Sequence, residues 1–182
     1  MSPRSPRRKP LDRAALHEYA LRLLGGRALS AGELRDRLTR RAAQTGDVDE
    51  VLAALKRSGY LDDRRFAESF AASRLANDRF GKARVIRDLR QRRVAPALAE
   101  GTVRQVYEDV DESALIEEWI RRKYRTAPRE GLFQDERDLA SAYRRLVRAG
   151  FRTGEIVRAL EKFARDPDLL DNFEPPAEEE GD

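Results

Sequence analysis

The chain has no cysteine among its 182 residues. That absence excludes disulfides, thiolate zinc sites and cysteine nucleophiles together. There is one histidine, His17, so neither a two-histidine metal site nor a paired-histidine catalytic site can be built. His17 falls in the first expected helix and reads as a solvated surface residue. Aromatic residues make up 7% of the chain, with one Trp, too few for a single large core. No apolar run approaches the ~20 residues of a membrane span, and the N-terminus lacks the apolar stretch of a secretory signal. A soluble, cytoplasmic chain with no membrane partner is expected. Phosphate-binding glycine loops, zinc-protease helices and nucleophile elbows are missing too, so no catalytic residue, metal or cofactor is expected.

What is present is charge. Lys, Arg, Asp and Glu form 38% of the chain and apolar residues 40%, a balance that suits helices with narrow apolar stripes and much solvated surface. The charge is unevenly placed. Residues 166–182 hold eight acidic and no basic residues, so the first 165 carry +12 of a chain whose net charge is +4. A basic body implies a polyanionic partner, either nucleic acid or an assembly containing it.

Residues 1–10 (MSPRSPRRKP) read as a disordered basic arm and residues 167–182 as an acidic tail, with Leu169, Leu170 and Phe173 able to tether it. Between them the apolar spacing is helical and strand signals are nearly absent. Gly25-Gly26 is expected to end the first helix, and Ser30 with Glu33 forms a capping-box start for the second. Gly46-Asp47 is expected to separate second and third, and Ser58-Gly59 to end the third. The pattern then recurs. Leu34, Leu38 and Leu55 are followed 51 residues later by Val85, Leu89 and Val106, and 54 residues after that by Leu139, Tyr143 and Leu160. Preceding helices are expected near 12–24, 63–77 and 112–125. The reading is all-α: three tandem three-helix repeats over residues 11–60, 61–110 and 111–166, the last with an insertion at 126–134. Each repeat is small, and stacking in a row would let each cover its neighbour. An elongated, curved molecule is expected.

The paired carboxylates Asp62 and Asp63 stand just before Phe66, Ala67, Phe70 and Ala71. An Asp at the N-cap accepts from the free N–H groups of the first turn, and a second meets the positive end of the helix dipole. No third carboxylate converges on them as a metal would need. Both read as structural helix caps, with Phe66, Phe70 and Trp119 as core residues.

The segment 81–94 (GKARVIRDLRQRRV) puts Val85, Ile86 and Leu89 on one helix face and Arg84, Arg87, Arg90 and Gln91 on the other, with Arg92 and Arg93 at its end. Together with Arg74, Arg79 and Lys82 these form a dense basic cluster. Arg121, Arg122, Lys123 and Arg125 add a second group, and Arg144, Arg145 and Arg148 a third. Guanidinium groups at these positions suit phosphates or an acidic protein surface. Aromatic platforms for stacking single-stranded bases are not evident.

Four stretches resemble the regulatory proteins of the RecX family: ALRLLGGRALSAGELRDRL (20–38), GYLDDRRFAESF (59–70), RFGKARVIRDL (79–89) and YRRLVRAGFRTGEIVRAL (143–160). They fall in order within a resemblance that spans roughly residues 14–162. One departure is the turn after the middle basic helix, Arg93-Val94-Ala95-Pro96, where the family typically has a Lys-Gly-Ile-like turn. The resemblance implies a bacterial protein of tandem three-helix repeats that regulates the RecA recombinase, within DNA repair, recombination and the SOS response. It implies binding in the groove of the RecA–DNA filament, with inhibition of recombination, ATP hydrolysis and coprotease activity. Weaker, non-specific contact with single- and double-stranded DNA and a monomeric state are further expectations. The alternative reading is a stand-alone, nucleoid-type DNA-binding protein, since three-helix units with a basic body can bind duplex unaided.

Overall fold

The computed structural model describes residues 9–125, 132–133 and 135–164. Among these residues the chain is helical throughout. Nine α-helices follow in order: α1 Arg13–Gly26, α2 Ala31–Thr39, α3 Thr45–Arg57, α4 Asp63–Ser73, α5 Lys82–Gln91, α6 Pro96–Val106, α7 Glu112–Lys123, α8 Glu136–Arg148 and α9 Thr153–Glu161. A π-helical turn, Arg74–Asp78, prolongs α4. The described residues form no strand, only isolated bridges between Leu11 and Ala42 and between Phe133 and Ala164. Residues 1–8 of the expected arm, the tail and positions 126–131 and 134 of the expected insertion lie outside the described residues.

The chain divides into two compact units, residues 1–69 with 89–102, and residues 70–88 with 103–182. Helices α4, α5 and α6 thus each contribute one part to each unit.

In the first unit, Asp12 caps α1 by accepting from Ala15 N at 3.0 Å. Ser30 opens α2 with a complete capping box: its hydroxyl accepts from Glu33 N at 3.0 Å while the Glu33 carboxylate accepts from Ser30 N at 3.3 Å. The core gathers Leu16 and Ala20 of α1, Leu34 and Leu38 of α2, and Val48, Val51, Leu52 and Leu55 of α3, together with Leu29 and Leu61. Full burial of each such Leu contributes roughly 1.5–3 kcal/mol. The second unit buries Leu115, Ile116 and Ile120 of α7, Leu139, Ala142, Tyr143 and Leu146 of α8, and Ile156, Ala159 and Leu160 of α9. Phe133 is also buried, edge-on to Tyr124 with ring centroids 5.5 Å apart.

Eight of the nine residues in the repeated triplets are buried; Val106 is half-exposed. The inner face of α6 runs Ala99, Val103, Tyr107 instead, because residues four apart share a face. Three other expectations are corrected. Gly46-Asp47 does not separate two helices but lies in the first turn of α3, where Asp47 faces the positive end of the dipole; the break falls at 40–44. Phe66 and Phe70 are half-exposed, and the buried face of α4 is Ala67 and Ala71. Trp119 is likewise half-exposed rather than central.

Three helices end in the same left-handed turn. After α3, Tyr60 N donates to Leu55 O and Gly59 N to Lys56 O. After α5, Val94 N donates to Leu89 O and Arg93 N to Arg90 O. After α8, Phe151 N donates to Leu146 O and Gly150 N to Val147 O. Each is a paired helix-terminating hydrogen-bond motif with a left-handed residue after the cap: Gly59 (φ 71°), Arg93 (φ 61°) and Gly150 (φ 90°). The Arg93-Val94 turn therefore has the same hydrogen-bond pattern as the two glycine turns, with Arg93 in a conformation that favours glycine.

Two of these turns receive the start of another helix. In the first unit the Ser30 hydroxyl donates to Arg92 O, and a methyl on Gly32 would meet Arg93 at under 3.0 Å. In the second unit Gly81 N donates to Ala149 O at 2.8 Å and Ala83 N to Gly150 O at 3.3 Å. A methyl on Gly81 would strike the Gly150 carbonyl. Each unit thus sets the beginning of one helix directly on the end of another.

Candidate functional site: a basic interface

The two aspartates of the 59–70 stretch are both caps, but of different helices. Asp62 Oδ1 accepts from Arg64 N at 2.9 Å and Arg65 N at 3.0 Å, closing the start of α4. Those backbone N–H bonds, Arg65's first, hold its carboxyl below the usual value. Asp63, the first residue of α4, instead reaches Ala31 N at 2.7 Å and satisfies a free N–H in the first turn of α2. Among the described residues no group of three or more His, Asp or Glu is arranged to hold a metal ion.

The expected basic residues fall into two classes. Seven are paired with carboxylates: Arg74 with Asp78, Arg79 with Glu118, Arg84 with Asp88, Arg90 with Glu100, Arg92 with Glu33, Arg93 with Asp36 and Arg121 with Glu117. Several of these also serve the fold. The Arg74 guanidinium lies 4.9 Å from the Phe70 ring centroid and 5.9 Å from that of Phe80. Arg79, itself left-handed at φ 55°, donates to the carbonyls of Leu75 and Ala76 at the end of the π turn. Arg84 was expected to face solvent. It is half-buried, with its guanidinium 5.4 Å from the Phe80 ring and its backbone against Gly150.

For the other eight, Lys82, Arg87, Arg122, Lys123, Arg125, Arg144, Arg145 and Arg148, no ion pair with a carboxylate is formed among the described residues. All of them belong to the second unit. Arg87 donates to Arg148 O at 3.2 Å, and Arg145 lies 3.4 Å from the Tyr124 hydroxyl. These contacts join the exposed side of α5 to the end of α8, and α8 to the end of α7. Arg122 donates to Asn77 O. Arg90, Arg92 and Arg93 belong to the first unit. The single continuous cluster read along 81–94 is thus divided between the units.

His17 is half-buried, not fully solvated. It lines a groove of about 620 Å³ between α1 and α3 with Arg13, Ala14, Glu18, Glu50, Ala53, Ala54 and Arg57. Arg13 and Glu50 close a 2.6 Å ion pair across it. Sequence reasoning passed over one exposed aromatic, Tyr60, whose signal was its place directly after the Gly59 turn.

These features define a class: an all-helical protein of tandem three-helix groups with many cations that form no ion pair among the described residues. Family models for RecX match in two blocks, the first three-helix domain at residues 17–63 and the second at 62–102. The chain is 36% identical to the regulatory protein RecX of Halorhodospira halophila over 85% of its own length and 91% of that protein's. It is 33% identical to the regulatory protein RecX of Trichlorobacter lovleyi, over 79% and 92% respectively. The solved structure of RecX from Lactobacillus salivarius shares the fold with a TM-score of 0.64 at 15% identity, over 83% of this chain and 96% of that one. The chain belongs to the RecX family of regulatory proteins. None of the helices among the described residues is long and apolar enough to cross a membrane.

Proposed function

We propose that this chain regulates the RecA recombinase in the bacterial cytoplasm. It binds as a monomer in the groove of the RecA–DNA filament and inhibits recombination, ATP hydrolysis and coprotease activity, with no catalysis of its own. Membership of the RecX family, through a relative matched over 91% of its length, is the observation that carries this reading. The cations of α5, α7 and α8 that form no ion pair among the described residues support it, because guanidinium groups not neutralised by a carboxylate suit phosphates and acidic side chains. In this reading the repeats are residues 11–60, 61–110 and 111–166, and contact with naked DNA is the weaker, salt-sensitive part of binding.

The test is ATP hydrolysis by the cognate RecA on single-stranded DNA at physiological salt, with this protein titrated in below stoichiometric amounts. The proposal expects strong inhibition at concentrations where the bare DNA is not comparably bound. Absence of inhibition, together with salt-sensitive binding to naked DNA, would replace it with the stand-alone DNA-binding reading.

A further inference from the structure

Tyr60 is 62% exposed and is the one large hydrophobic side chain so exposed among the described residues. Its place makes that unusual. In each of the three left-handed helix endings, the residue after the left-handed one has its N–H tied back into the last turn, and a hydrophobic residue there ordinarily packs against the helix. Val94 and Phe151 do so, at 3% and 5% exposure. Tyr60 occupies the same position after α3 and points away. A local rule broken at one of three equivalent places is where function is expected.

The turn that presents the ring is held on every side. Tyr60 N donates to Leu55 O at 3.0 Å, the Arg65 guanidinium donates to Gly59 O at 2.9 Å, and the next residue, Leu61, is buried. The ring is therefore offered on a fixed backbone, at small cost in ordering. Close in sequence are three exposed cations, Lys56 and Arg57 in the last turn of α3 and Arg64 in the first turn of α4, of which Arg57 also lines the α1–α3 groove. None of the three forms an ion pair with a carboxylate among the described residues. Asp62 accepts from the α4 backbone, and Arg64 adds to the lowering of its carboxyl. An exposed flat ring in a segment that carries exposed cations complements a ligand with flat rings at regular intervals along a phosphate chain. The groove between α1 and α3 lacks this character, since it carries both signs of charge and its Arg13–Glu50 pair is closed.

We propose that the α3–α4 corner is a single-stranded nucleic-acid contact, with Tyr60 stacking one base and Lys56, Arg57 and Arg64 meeting the adjacent phosphates. The site belongs to the first unit and does not depend on RecA being the target.

The experiment measures binding of the full chain to two labelled probes by fluorescence anisotropy without recombinase: a thymidine oligonucleotide of about fifteen nucleotides, and an abasic strand of the same length and charge. Wild type should prefer the thymidine strand. Tyr60→Ala should weaken that binding roughly tenfold, within the range of one base–aromatic stack, and leave the abasic strand unaffected. Tyr60→Phe should stay close to wild type. Because Tyr60 is exposed, both variants should keep the wild-type circular dichroism. Equal affinity of wild type for the two strands, or an unchanged thymidine affinity in Tyr60→Ala, would overturn the proposal. If thymidine affinity is unchanged while inhibition of RecA ATP hydrolysis falls, the corner is a protein contact instead.

Discussion

A left-handed backbone costs a non-glycine residue roughly 1–2 kcal/mol, and Arg93 is held in one. Its side chain recovers part of this through Asp36 at 3.4 Å, but both partners are at least half exposed and such a pair contributes little. Arg93→Gly should therefore raise stability by about 1 kcal/mol, read as a higher midpoint in thermal or urea unfolding. A fall would mean that the Arg93 side chain contributes more than its backbone costs. Gly150 gives the opposite expectation. It is left-handed too, and a methyl there would strike the Arg84 backbone. Gly150→Ala should destabilise by clearly more than ~1 kcal/mol, with m unchanged if unfolding stays two-state. Asp63→Ala removes a cap from α2 while leaving Asp62 to close α4, and should cost about 1 kcal/mol in the same assay.

At the scale of the helix, Glu117 of α7 ties two elements at once, accepting from Lys162 just beyond α9 at 2.7 Å and from Arg121 at 2.6 Å. The Lys162 bond, then that from Arg121, holds its carboxyl below the ordinary value of 4.5. A depressed carboxylate stabilises the fold in full above its unfolded value, and that contribution is lost as pH falls through the lower folded value. Stability of the wild type should fall more steeply below about pH 4.5 than that of Glu117→Gln, which should be the less stable of the two at neutral pH and converge with the wild type in acid. Parallel curves for the two proteins in acid would show that the tie contributes nothing. Elements of this kind set the limit of what the chain discloses by itself. Ser30 with Glu33, and Asp62 before a Phe-Ala run, were legible because a cap and its helix are neighbours in sequence. Asp63 was read as serving its own helix, because nothing in the chain marks a bond to Ala31 across 32 residues. The triplets located the buried faces of α2, α5, α8 and α9, yet missed by one position on α6, where Val106 and Tyr107 are equally apolar and only packing chooses between them. For the interface, helical periodicity showed which arginines leave the core. It could not show that Arg90 would meet Glu100 or Arg79 Glu118, since ion pairs between helices depend on tertiary placement.

For the whole molecule, what counts is how much positive charge remains free and what competes for it. Removing Arg87, Arg144 and Arg148 together to Ala should weaken RecA inhibition and lower the salt dependence of DNA binding by about two to three phosphate contacts, since each contact contributes roughly 0.9 to the logarithmic slope. It should leave thermal stability near wild type. Changing Arg74, Arg79 and Arg84 instead should lower stability, because those side chains hold the π turn and the start of α5. If the first triple variant inhibits as well as wild type, the binding face lies elsewhere. The same reasoning extends to the acidic residues 166–182, whose removal takes the net charge from +4 to +12. Eight carboxylates tethered to a basic body are an intramolecular competitor for phosphates, and the effective concentration of such a tether is high. Deleting 166–182 should raise affinity for duplex DNA at low salt, and the difference should shrink as salt screens both the competitor and the ligand. Unchanged affinity at low salt would show that the acidic residues do not compete with phosphates for the basic residues.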